Sequence, residues 1–200
     1  MKAVRGIVGT CVPLNRSDID TDQIIPASWL KRVERTGFGV GLFSSWRENE
    51  PDFPLNRPEY AGASILVAGP NFGVGSSREH AVWALTDYGF QAVVSSRFGD
   101  IFRNNATKTG LVPVVVSPEF ADALMRAVEE DPTLVVEIDV AERWISAPAI
   151  GLESAFPLDD FTRYRLVEGL DDIGLTLRHA DKIAAFEARR PAWMPRVARG

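Results

Sequence analysis

One stretch of the chain concentrates residue types that could do chemistry: Gly69-Pro70-Asn71-Phe72-Gly73-Val74-Gly75-Ser76-Ser77-Arg78-Glu79-His80. Glycines such as Gly73 and Gly75 let the backbone come close to a ligand. If a helix follows them, its first N–H groups are unpaired and its dipole attracts anions. A Ser76 hydroxyl ringed by such donors and by the Arg78 guanidinium could be held as an alkoxide and act as a base. Arg78 also offers a planar fork that grips a carboxylate bidentately.

Two nucleotide-binding readings fail on specific residues. A dinucleotide fingerprint needs a glycine three residues after Gly75, where Arg78 stands, and an acid near the end of the next strand, where Ser95 and Ser96 stand. A phosphate-binding P-loop needs a lysine after the last glycine, and Ser76 is there instead. A purely structural alternative stays open. Ser76 and Glu79 have the spacing of a capping box, so Ser76 could simply start the helix. Arg78 argues the other way, because a cation in the first turn opposes the dipole. His80 is more often a packed histidine than a catalytic one.

The second candidate is Asp18-Ile19-Asp20-Thr21-Asp22-Gln23-Ile24-Ile25-Pro26. It begins like a calcium loop but has Gln23 where that loop needs glycine and Trp29 where it needs glutamate. The plain reading is a solvated turn held by Asx bonds. Lys31, Arg32 and Arg35 follow, as surface charge or as a second anion clamp.

Hydrophobic periodicity sets out the elements that must position these residues. Residues 3–9 suit a strand, and 13–60 read as long loops, where binding groups concentrate. Ser64–Ala68, Ala92–Ser95 and Leu111–Val116 suit buried strands, separated by helices over 77–88 and 98–108. That alternation implies parallel pairing with right-handed crossovers. Residues 118–130 form an amphipathic helix, Val135–Val140 and Arg143–Ala147 suggest a hairpin, and 159–168 and, after a break at Asp171-Asp172, 180–190 read as helices, with the tail from Pro191 packed as irregular chain. The expectation is a single α/β domain with a mixed sheet.

Composition narrows the function. The chain has 200 residues, 46% of them hydrophobic and 24% charged, with a net charge of −5. That balance suits a soluble globular domain and weakens nucleic-acid binding, which wants a basic surface. No signal-peptide core or membrane-length apolar run is visible, so a cytoplasmic protein is expected. The single cysteine, Cys11, with His80 and His179, cannot hold an iron–sulfur cluster or a zinc site alone.

The glycine-rich and Asp-rich segments together resemble the small subunits of 3-isopropylmalate dehydratase, which are similar to the swivelling C-terminal domain of aconitase. Further matches are Arg32 with Arg35-Thr36-Gly37-Phe38-Gly39, Arg97-Phe98 with Asp100-Ile101-Phe102-Arg103-Asn104-Asn105, Gly169-Leu170-Asp171-Asp172-Ile173-Gly174-Leu175-Thr176-Leu177, and Pro191-Ala192-Trp193. The resemblance covers about residues 1–195. It implies a single swivelling β/β/α-type domain with a mixed, partly parallel sheet flanked by helices, substrate-facing loops over 13–60 and a helical C-terminal region over 159–200. It implies interconversion of 2- and 3-isopropylmalate through 2-isopropylmaleate in leucine biosynthesis, with no cofactor on this chain and a [4Fe–4S] cluster on a separate large subunit. By resemblance Ser76 is the base, Ser77 and Arg78 hold a substrate carboxylate, and Asp22 is an active-site aspartate. Lys31 to Arg35, including Arg32 and Arg35, lie in the loop that judges the substrate side chain. The partners implied are the large subunit and a small dicarboxylate, with no nucleic acid and no membrane. Ala106 stands where relatives often carry cysteine. Two alternatives remain: a related dehydratase acting on homoaconitate, methylmalate or dimethylmalate, and a non-catalytic anion-binding or partner-docking module.

Overall fold

The computed structural model describes residues 1–31, 36–191 and 193–195. The mixed strand pairing expected from the sequence is divided between two four-stranded sheets. β2 (Cys11–Leu14), β3 (Ile65–Ala68), β4 (Ala92–Ser95) and β5 (Val112–Val115) form a parallel sheet in that order. β1 (Gly6–Gly9) joins β6 (Val136–Asp139), β7 (Trp144–Ala147) and β8 (Leu152–Ala155) in an antiparallel one.

Side-chain patterning explains the division. β2, β3 and β4 are buried along their whole length, as befits parallel strands covered on both faces. β6 alternates buried Val136 and Ile138 with exposed Glu137 and Asp139, the pattern of a sheet with one wet face. Pro13 and Pro113 lie in the two edge strands of the parallel sheet, where a missing N–H donor is tolerated. The chain changes sheets at Thr10, whose carbonyl accepts from Ser64 N–H at 3.2 Å.

β3 to β5 are linked through α3 (Glu79–Tyr88) and α4 (Asp100–Thr109), which pack on each other. Right-handed crossovers place both on one face of the sheet. α5 (Pro118–Glu130) begins under a Ser117 cap, at the position expected, and lies across β2, β3 and β4 through buried Phe120, Leu124 and Val128.

Four expectations need correcting. β2 was hidden at the start of what reads as loop, because its four residues carry a proline, and the 13–60 stretch also holds α1 (Thr21–Ile24) and α2 (Ser44–Asn49). β8 was hidden too: its exposure alternates without β-branched residues to announce it. Asp171-Asp172 is no break. Asp171 caps a further helix, α7 (Asp172–Leu177), by accepting from Gly174 N–H at 2.7 Å. α6 (Asp160–Glu168) precedes it and α8 (Ala180–Ala188) follows. Finally, Trp193 is 79% exposed rather than packed.

Candidate functional site

Three loops leave the carboxyl edge of the parallel sheet side by side: 15–20 after β2, 69–78 after β3, and 96–99 after β4. This edge is where open α/β sheets place ligands. Main-chain bonds carry the parallel pairing outward into the loops. Asp18 N–H donates to Pro70 O at 2.9 Å, and Ile19 O accepts from Gly73 N–H at 2.8 Å and Val74 N–H at 3.1 Å. On the other side, Phe72 N–H donates to Arg97 O at 3.0 Å and Gly99 N–H to Phe72 O at 2.9 Å. The buried Ser95 hydroxyl donates to Gly69 O at 2.8 Å. The middle loop is therefore stitched along both margins.

Gly73 shows why this loop needs glycine. Its φ is +74°, and a Cβ there would sit 2.3 Å from the Phe102 ring carbon Cγ. Phe102 is itself wedged edge-on against Phe72, with centroids 5.2 Å apart. Gly75, at φ +88°, makes the second left-handed step and turns the chain toward α3.

The capping box suggested by Ser76 and Glu79 is not formed. α3 begins at Glu79, and its N-cap position is Arg78, in extended backbone with no side-chain cap bond. Ser76 lies two residues earlier, exposed, and its hydroxyl has no hydrogen-bond partner among the described residues. A real capping box lies in the Asp-rich segment instead. Gln23 N–H donates to Asp20 Oδ1 at 2.8 Å, and Asp20 N–H donates back to Gln23 Oε1 at 2.8 Å. It starts α1 (Thr21–Ile24), the turn that faces the glycine loop.

That turn brings predicted residues together. Arg78 pairs with Asp22 across the two loops. The Arg78 side chain is 19% exposed and Asp22 51%, so the pair sits at the rim with the guanidinium partly covered. Ser77 is exposed between Ser76 and Arg78. Lys31 is exposed at the end of a 3-10 turn, Ala27–Lys31. Arg32 and Arg35 lie outside the described residues.

His80 is not part of this cluster. It packs between Phe38 (centroids 5.3 Å) and Trp83 (4.7 Å), as a structural histidine would. Phe38 is buried, and its N–H donates to Asp87 Oδ2 at 3.0 Å. A groove of about 740 Å³, lined by Val40, Arg47, Asp87 and Tyr88 among others, lies at the far end of α3 from Ser76.

Two members of the site carried no signal in the sequence strong enough to single them out. Thr21 is 2% exposed, and its hydroxyl donates to Ser76 O at 3.1 Å. Asn71 donates through Nδ2 to Asp18 Oδ1 at 2.7 Å, and both residues hold positive φ, +60° and +55°. Asn and Asp tolerate that conformation best among residues with a Cβ.

The chemistry available is anion recognition plus an unencumbered hydroxyl. Among the described residues no three His, Cys, Asp or Glu side chains are grouped to hold a metal ion. Cys11 is buried in β2, and burial pushes its thiol up to about 12.

Similarity to known proteins extends over nearly the whole chain. Residues 1–119 match the family model of the aconitase C-terminal domain, and residues 172–199 match that of the C-terminal domain of 3-isopropylmalate dehydratase small subunits. The 3-isopropylmalate dehydratase small subunit of Frankia alni is 60% identical over 195 residues, covering 98% of each chain. That of Acidothermus cellulolyticus is 63% identical over 187 residues, covering 94% of this chain and 93% of its own. A solved structure, 3-isopropylmalate dehydratase from Methanocaldococcus jannaschii, superposes with a TM-score of 0.66 at 27% identity, covering 91% of this chain and 99% of its own. The chain belongs to the family of 3-isopropylmalate dehydratase small subunits, built on the aconitase C-terminal domain.

Proposed function

We propose that this chain is the proton-handling half of a hydro-lyase that interconverts 2-isopropylmalate and 3-isopropylmalate through 2-isopropylmaleate. It works with a separate large subunit, in the cytoplasm, as one domain whose loops over 13–60 face the substrate. The observation that carries the reading is the placement of Ser76: outside the helix, exposed, its hydroxyl unpartnered among the described residues, beside an arginine at the mouth of α3.

In this reading the Arg78 fork and the Ser77 hydroxyl hold the carboxylate next to the carbon that loses its proton. Binding the carboxylate at Arg78 makes that proton more acidic and fixes its direction. The Ser76 oxygen, charged and stabilised by Arg78 and nearby amide N–H groups, takes the proton and returns it in the reverse direction. Asp22, paired with Arg78, restrains the guanidinium at the rim beside the two serines. This chain has one cysteine and that one is buried, so it does not fit an iron–sulfur cluster. In this reading a [4Fe–4S] cluster held by the large subunit would supply the Lewis acid for the departing hydroxyl. The dicarboxylate is the only small-molecule partner required of this chain.

The test is reconstitution. The chain alone should be inactive. Adding an anaerobically prepared large subunit should restore consumption of 2-isopropylmaleate, followed by its double-bond absorbance. Ser76→Ala should assemble normally and lose most turnover. Wild-type turnover in that variant, or no activity with any cognate large subunit, defeats the proposal.

A further inference from the structure

We infer that Thr21 is a positioning residue for the reaction, acting through the Ser76–Ser77 peptide. The inference deepens the proposed function and rests on Ser76 being the proton acceptor.

Thr21 is one of few buried polar side chains, at 2% exposure. Nothing about a four-residue helix requires a threonine at its first position. Its backbone N–H already donates to Val74 O at 3.0 Å, which suffices to dock the turn on the glycine loop. The hydroxyl does something further: it donates to Ser76 O at 3.1 Å. That carbonyl belongs to an exposed residue that follows a glycine at φ +88° and precedes the helix. Without a partner this peptide plane would have few restraints.

A trans peptide points its C=O and N–H in opposite directions. Anchoring Ser76 O on Thr21 therefore turns the Ser77 N–H the other way, off the α1 turn. That N–H donates to no acceptor among the described residues. It is left as a fixed amide donor beside the Ser76 hydroxyl, suited to the alkoxide or to a carboxylate oxygen. The adjacent residue, Asp22, holds Arg78. Two consecutive side chains on one short turn thus set the backbone on one side of the two serines and the guanidinium on the other.

The mechanism this predicts is orientational, so the chemical step should suffer more than binding. In enzyme reconstituted with the large subunit, Thr21→Val should lower kcat by about tenfold or more, with KM changed less than about twofold, because one misaligned donor costs that order of rate. Thr21→Ser keeps the hydroxyl and should retain wild-type kcat, although it removes the buried methyl. In the Ser76→Ala background, Thr21→Val should cause no further loss.

Equal losses in Thr21→Val and Thr21→Ser would make the role one of packing and overturn the inference, as would a Thr21→Val enzyme with wild-type kcat. Should Thr21→Val fail to assemble, Thr21→Ser decides: tenfold loss overturns the inference, and wild-type kcat upholds the need for the hydroxyl. Ser76→Ala, run alongside, separates the two layers. If it is active, the proposed function fails. If it is inactive while Thr21→Val is fast, only the positioning role fails.

Discussion

Replacing Gly73 by alanine tests whether close packing sets the geometry of the serine loop. Two costs add. A residue with a Cβ held at φ +74° is strained by about 1–2 kcal/mol. The new Cβ would also overlap Phe102, at 2.3 Å from Cγ and 2.6 Å from Cβ. Phe102 is 2% exposed and boxed in by Phe72 and by Phe98, whose ring stacks on it at 6.2 Å. The ring has no open side to yield into, so overpacking adds about 1–3 kcal/mol. The total is about 2–5 kcal/mol. For a chain of this size each kcal/mol lowers Tm by about 2–4 °C, so a drop of about 4–20 °C is expected. Gly62→Ala is the matched control. Its φ is +80°, but a Cβ there meets nothing within 4 Å, so only the backbone term applies, about 2–8 °C. Scanning calorimetry of the two variants against wild type measures the difference. Equal Tm losses would refute the argument that the Phe102 ring dictates glycine at position 73.

Three further outcomes are expected. Arg78→Lys keeps the charge and loses the fork, so KM for the dicarboxylate should rise about tenfold, while Tm moves little because a rim ion pair with Asp22 contributes only about 0–1 kcal/mol; steady-state kinetics beside thermal melts check both. Cys11, pushed by burial from 9.0 up to about 12, favours the folded state fully below pH 9 and loses that contribution as pH rises toward 12; iodoacetamide at about pH 8, below the thiol's ordinary range, should label it only in denaturant, and rapid labelling of the native chain would contradict its burial. Asp159 caps α6, and its bonds from Thr162, hydroxyl first and then amide, hold its carboxyl below the ordinary 3.8. Its contribution is present above pH 3.8 and fades as pH falls through the lowered value. Acid titration followed by circular dichroism should show α6 weakening there, and Asp159→Asn should blunt that response.

What the sequence disclosed depended on how local the determinants are. α5 and β4 were read with their observed limits, since an amphipathic period under a Ser-Pro start and an apolar run between turn residues are self-contained signals. The serine loop and its place between a strand and a helix were legible for the same reason. The start of α3 was not. Ser76 and Glu79 carry a genuine capping pattern, but the Ser76 carbonyl is claimed by Thr21, 55 residues away, and the chain stays extended through Arg78. Likewise the Asp20–Gln23 box was read as a solvated turn held by Asx bonds and not as a helix start, because nothing local says that a glycine loop packs on it. The separation into two sheets was also beyond local reading. β1 and β2 are one residue apart and choose different partners, a decision made by β6 and β3 far along the chain.

That last feature orders events during synthesis. All four parallel strands and the three loops at their carboxyl edge have been translated by residue 115. β1 has emerged earlier still, but its mate β6 follows roughly 130 residues later, a wait of roughly 6–26 s at ribosomal speed. For that interval Gly6–Gly9 hangs from an otherwise completable core as an orphan ribbon, with Ile7, buried in the finished fold, still uncovered. A chain truncated between residues 120 and 135 and released from the ribosome should therefore recruit a strand-binding chaperone at its amino end while the serine loop has already taken shape.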